Sequence, residues 1–122
     1  MESKKKILSI DDEENIRLLL SCELEDEGYE VIGLGDPQQA MKMIEDEQPD
    51  IIILDIKMPQ LSGIELLKMI RDKYYDLPVI LLSAYSTFKR DVAAMASDYY
   101  VVKSADLNEL KKLIKKILKT QL

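Results

Sequence analysis

The chain has 122 residues, 47% hydrophobic and 33% charged, with a formal net charge of −6. A chain of this length fits one domain and can bury roughly two-thirds of the surface it exposes when unfolded. The acidic balance argues against a general nucleic-acid-binding surface, while the absence of histidine excludes a Ser-His-Asp or Cys-His nucleophile pair and a His-ligated zinc site.

Short apolar runs alternate with amphipathic stretches, without repeats, low-complexity tracts or linkers. Lys5–Ile10 reads as a strand. The lysines before it are followed by too short an apolar run for a signal peptide. Glu14–Glu27 reads as a helix ended by Gly28. Ile16, Leu19, Leu20 and Leu24 form its expected core stripe, with Leu18 and Cys22 on the opposite side. Glu30–Leu34 is a strand. Pro37–Glu47 is a helix with Asp36 as N-cap and proline at the first helical position. Ile51-Ile52-Ile53-Leu54 is a continuous apolar run, as expected of a central parallel strand buried on both faces. Gly63–Lys73 follows as a helix, Val79–Leu82 as a second buried strand, Thr87–Met95 as a short helix and Tyr99–Val102 as a strand.

Leu107–Leu118 is the last helix, capped by Asp106. Leu107, Leu110, Leu113, Ile114, Ile117 and Leu118 make one stripe at helical spacing. The lysines at 111, 112, 115, 116 and 119 occupy the other face and read as a solvated surface favoured by the helix dipole. Five strands alternating with five helices imply an α/β layer fold with right-handed crossovers, one domain over 1–122 with its core at about 5–118. No run approaches the ~20 apolar residues of a membrane span. Cys22 is the only cysteine, so no internal disulfide can form and a reducing cytoplasm is the expected home.

In open parallel sheets, sites form beyond the carboxyl ends of the strands. Asp11-Asp12-Glu13 follows the first strand, Asp55 and then Lys57-Met58-Pro59 the third, Ser83-Ala84 the fourth and Lys103 the fifth. Singly these residues have plain explanations: Asp11 or Asp12 as a helix N-cap, Ser83 as a turn residue, Lys103 in solvent. Asp55 is harder to explain so, because it ends the most apolar strand, where an unpaired charge is costly to bury. Together they put three carboxylates, a hydroxyl and an ammonium on one edge of the sheet. Acids gathered there repel one another, and a hard cation such as Mg²⁺ relieves that repulsion.

Asp11-Asp12-Glu13, Asp55, Met58-Pro59, Gly63, Ser83-Ala84 and Tyr100-Val101-Val102-Lys103 resemble, in order and spacing, the receiver domain of two-component response regulators. The resemblance covers about Lys5 to Leu118. It implies a flavodoxin-like (βα)5 doubly wound sheet of strand order 2-1-3-4-5. It implies that Asp55 accepts a phosphoryl group from a sensor histidine kinase or histidine phosphotransfer protein, so that the chain catalyses only its own phosphorylation and dephosphorylation. Mg²⁺ would be held by Asp12, Asp55 and the main-chain carbonyl of Lys57, with Asp11 acting mainly through a water. Ser83 and Lys103 would contact the phosphoryl oxygens. Ser83, the loop Ala84–Thr87 and Tyr100 would form the switch, whereas without the resemblance Tyr100 reads as a plain edge-strand tyrosine. Asn15, Leu18, Cys22 and Ser104 would belong to a kinase-docking face. The fourth and fifth predicted helices, with Tyr85, Lys89 and Tyr99, would offer a face for homodimerisation or output. No direct nucleic-acid or membrane contact is implied.

Two departures stand out. Ser104 follows Lys103 where the family usually has a cis proline, and a trans bond is expected here because a cis one would cost about 3–4 kcal/mol. The stretch before Tyr100 lacks the glycine often found there. Three other readings compete. A Mg²⁺-dependent aspartyl-phosphate phosphatase would want an acid where Lys57 stands, and a cap domain. A flavin module would want a Ser/Thr/Gly-rich cradle where the acids stand. A receiver-like interaction module would never be phosphorylated. The chain's end after the last helix fits both a stand-alone regulator and a receiver cut from a longer protein.

Overall fold

The computed structural model describes residues 4–56, 58, 61–83, 99–102 and 107–119. Five parallel strands, β1 (Lys6–Ile10), β2 (Glu30–Leu34), β3 (Ile51–Asp55), β4 (Val79–Ser83) and β5 (Tyr99–Val102), form one sheet of order β2-β1-β3-β4-β5. The described helices are α1 (Glu14–Asp26), α2 (Ala40–Glu47), α3 (Gly63–Lys73) and a C-terminal helix (Asn108–Lys119). This is the doubly wound, flavodoxin-like architecture expected. The predicted helix Thr87–Met95 and the Asp106 cap lie outside the described residues.

Because side chains alternate across a strand, the sheet divides the apolar residues into two cores. Leu8, Ile10, Ile52, Leu54, Val79 and Leu81 pack with Ala40 and Ile44 of α2 and Leu66, Leu67 and Ile70 of α3. On the other face Ile7, Ile51, Ile53, Ile80 and Leu82 pack with Leu20 and Leu24 of α1 and Leu110, Ile114 and Ile117 of the C-terminal helix. Every residue of β3 is buried, which explains its unbroken apolar run.

Local chemistry sets the element ends. Gly28 adopts φ +97°, and the Tyr29 N–H donates to the Leu24 carbonyl at 3.2 Å. That closes α1 with a left-handed residue and a six-to-one bond, the pattern glycine favours after a helix. Asp36 caps its segment as expected, its carboxylate accepting from the Gln38 N–H at 3.0 Å. The capped segment begins as a 3₁₀ turn, Pro37–Gln39, before α2 proper.

One expectation fails. Leu19 is not in the core but 39% exposed, beside Leu18 at 56%. Successive helical residues differ by about 100°. Leu20 and Leu24 centre the buried face and leave Leu19 outside it. Asn15 and Cys22 are also exposed. The C-terminal helix follows its predicted stripe, with Leu107, Leu110, Ile114, Ile117 and Leu118 buried. Among the described residues, no helix is long and apolar enough to cross a membrane.

Candidate metal centre

Parallel pairing brings the acids together. Ile10 pairs with Leu54, so Asp11 and Asp55 are the next residues on neighbouring strands. Asp55 pairs with Leu82, which puts Ser83 one step beyond. One carboxylate oxygen from each of Asp11, Asp12, Glu13 and Asp55 can be chosen so that all four lie within 4.8 Å of one another. Asp11 and Asp55 are 2% and 4% exposed, whereas Asp12 and Glu13 are exposed. The cluster therefore has a buried floor and a solvent-facing rim. Unit charges about 5 Å apart repel by about 3 kcal/mol at an effective dielectric of 20. The donor set is all oxygen, which suits a hard divalent cation rather than a transition metal wanting nitrogen or sulfur. Asp11, Asp12 and Asp55, singled out from sequence, are thus gathered at one place, and Glu13 joins them. Its signal was its position in the three-acid run.

The backbone fixes this cluster. The Asp11 N–H donates to the Leu34 carbonyl at 3.1 Å, extending the β1–β2 ladder by one residue. Asp11 Oδ1 accepts from the Glu13 N–H at 2.9 Å, the two-residue reach typical of an aspartate turn. The N-cap of α1 is Glu13, without a side-chain capping bond. Neither Asp11 nor Asp12 is therefore that helix's N-cap. Arg17 Nη1 donates to the Asp11 carbonyl oxygen at 2.6 Å, a contact that sequence reasoning missed.

The β3–α3 junction is equally tight. The Gly63 N–H donates to the Ile56 carbonyl at 2.7 Å. A Cβ at Gly63 would collide with the Asp55 carbonyl oxygen and lie 2.7 Å from Ile56 Cα. Only glycine lets α3 start this close to the end of β3. Ser62 caps α3, its Oγ accepting from the Glu65 N–H at 3.2 Å.

Ser83 is buried at the end of β4, facing Val102 of β5 in the sheet register. Tyr100 is half-buried and packs against the core on the α2–α3 side. Lys57, Lys103, Ser104, Tyr85, Lys89 and the loop Ala84–Thr87 lie outside the described residues.

A family model described as "Response regulator receiver domain" matches residues 7–115. The chain belongs to the response regulator receiver family. This receiver domain is 38% identical over 117 residues to the alkaline phosphatase synthesis transcriptional regulatory protein PhoP of Bacillus subtilis, covering 94% of this chain and 49% of that protein. It is 31% identical to sporulation initiation phosphotransferase F of the same organism, covering 93% of this chain and 94% of that one. Among solved structures, the response regulator TrrA of Thermotoga maritima in complex with Mg²⁺-BeF is 46% identical with a TM-score of 0.87, covering 93% of this chain and 98% of that chain. TrrA has also been solved in complex with the histidine kinase ThkA. The receiver spans about half the length, or less, of the curated transcriptional regulators it matches.

Proposed function

We propose that this receiver accepts a phosphoryl group on Asp55 from a phosphohistidine of a sensor histidine kinase or histidine phosphotransfer protein. The observation that carries the proposal is the convergence of Asp11, Asp12 and Glu13 on Asp55 within 4.8 Å. The chain itself contains no histidine, so the donor is another molecule. In the transfer, an Asp55 carboxylate oxygen forms a bond to phosphorus as the donor's phosphorus–nitrogen bond breaks, and the imidazole leaves with the bonding pair. The whole of 1–122 acts as one such domain.

Asp12 and Asp55, with the main-chain carbonyl of Lys57, would hold Mg²⁺, and Asp11 would reach it through a water. Bound there, the ion supplies positive charge to the phosphoryl oxygens. Lys103 would pair with those oxygens as a point charge and Ser83 would donate a hydrogen bond to one of them. A phosphoryl group adds about two negative charges. Ser83 moves toward it and Tyr100 turns inward, forming the switch. Asn15, Leu18, Cys22 and Ser104 would meet the kinase, and the face of the fourth and fifth predicted helices would serve a second copy or an output partner. The domain catalyses only its own phosphorylation and dephosphorylation, and its setting is the cytoplasm. The kinase complex of TrrA supports the partner class.

Incubation with a small acyl phosphate and MgCl₂ is expected to add one phosphoryl group by intact-mass measurement. Asp55→Asn, or chelation of the metal, abolishes the addition. A wild-type protein that stays unmodified at saturating Mg²⁺ would instead be a receiver-like interaction module.

A further inference from the structure

Arg17 has no part in the roles proposed above, yet it is bonded into the acidic loop. It lies in the first turn of α1, where the helix dipole disfavours a cation. Its side chain crosses the end of β2 through a channel left by two glycines. A Cβ at Gly33 would lie 3.4 Å from Arg17 Cδ, and one at Gly35 would lie 2.8 Å from Arg17 Nη1. At the end of the channel Nη1 donates to the Asp11 carbonyl oxygen at 2.6 Å. That oxygen belongs to the peptide joining Asp11 to Asp12. The Arg17 N–H donates to the Glu13 carbonyl at 3.2 Å, so side chain and main chain together close a loop around Asp11-Asp12-Glu13.

Asp12 is exposed, and among the described residues no donor holds its carboxylate. With no partner to steer the side chain, the reach of that carboxylate depends on where the preceding peptide places its Cα and Cβ. We infer that Arg17 is a positioning residue: by clamping the Asp11–Asp12 peptide it aims the Asp12 carboxylate at Asp55 and so raises the site's affinity for a divalent cation. The inference rests on the metal site of the proposed function.

Charge and position make opposite forecasts here. A guanidinium beside a cation site repels the cation, so removing it for its charge alone would tighten Mg²⁺ binding. Removing a positioning group weakens it, typically by tenfold or more for groups behind metal ligands.

The test is calorimetric titration of MgCl₂ into the wild type, Arg17→Gln, Arg17→Lys and Gly35→Ala, with the melting temperature of each measured in chelator. Arg17→Gln is expected to raise the Kd for Mg²⁺ about tenfold. Arg17→Lys, which keeps a donor, is expected to fall between it and the wild type. Gly35→Ala keeps the arginine and its charge, and the glycine does not use a left-handed φ. Its new methyl pushes Nη1 aside, so it too should weaken binding. Unchanged or tighter binding in folded Arg17→Gln, or in Gly35→Ala, would overturn the inference while leaving the metal site standing. A wild type that binds no Mg²⁺ would remove the site itself, and the inference with it.

Discussion

Ser9 shows how sparingly polar atoms are spent away from the site. It is the penultimate residue of β1, 1% exposed, and among the described residues its hydroxyl has no hydrogen-bond partner. Leaving a buried hydroxyl unsatisfied costs about 1–3 kcal/mol. Ser9→Ala should therefore match or exceed the wild type in stability, by up to about 1 kcal/mol in urea unfolding once the lost packing of the oxygen is counted. A loss of stability would mean that the hydroxyl is satisfied in solution. Asp11 and Asp55 are buried almost as deeply as Ser9, but they sit where the strands end and neighbouring acids converge.

At the scale of elements, the junction of β3 with α3 is the most exacting. Gly63→Ala would force α3 away from the Asp55 carbonyl. Overpacking of this kind against backbone is expected to cost about 3 kcal/mol or more and to reduce phosphorylation of Asp55 along with stability. Ser62→Ala removes only the cap and should cost about 1 kcal/mol, with phosphorylation retained. Chemical denaturation paired with intact-mass phosphorylation distinguishes the two variants. Gly63 was legible in the sequence as a helix start but not as a contact, since that depends on where two elements meet. The same limit explains Arg17. Gly33 and Gly35 mark a place where something approaches closely, but nothing local says what. Leu19 departs from the expected stripe because four leucine-like residues in two turns allow more than one stripe, and only the sheet selects among them. Strand ends, by contrast, were readable, since apolar runs stopping at Asp11, Asp55 and Ser83 report the change from an apolar core to a polar site.

For the molecule as a whole, the cluster makes stability depend on the metal. A ligand that binds only the folded state stabilises it by RT ln(1 + [L]/Kd), about 2.7 kcal/mol at a hundredfold excess over Kd. The melting temperature is therefore expected to climb with MgCl₂ and to fall back in chelator. Asp55→Asn, with one fewer charge to neutralise, should respond less. A wild type whose melting is indifferent to Mg²⁺ would contradict the site.

The two cores meet only through the sheet, and β3 is its most thoroughly enclosed member, paired on both sides and covered on both faces. Displacing that strand would open both cores at once. β5, at the margin, has a neighbour on one side alone, and its Tyr99 is 40% exposed. Asp55 is thus mounted on the best-braced strand of the sheet, whereas β2 and β5 each lean on a single neighbour.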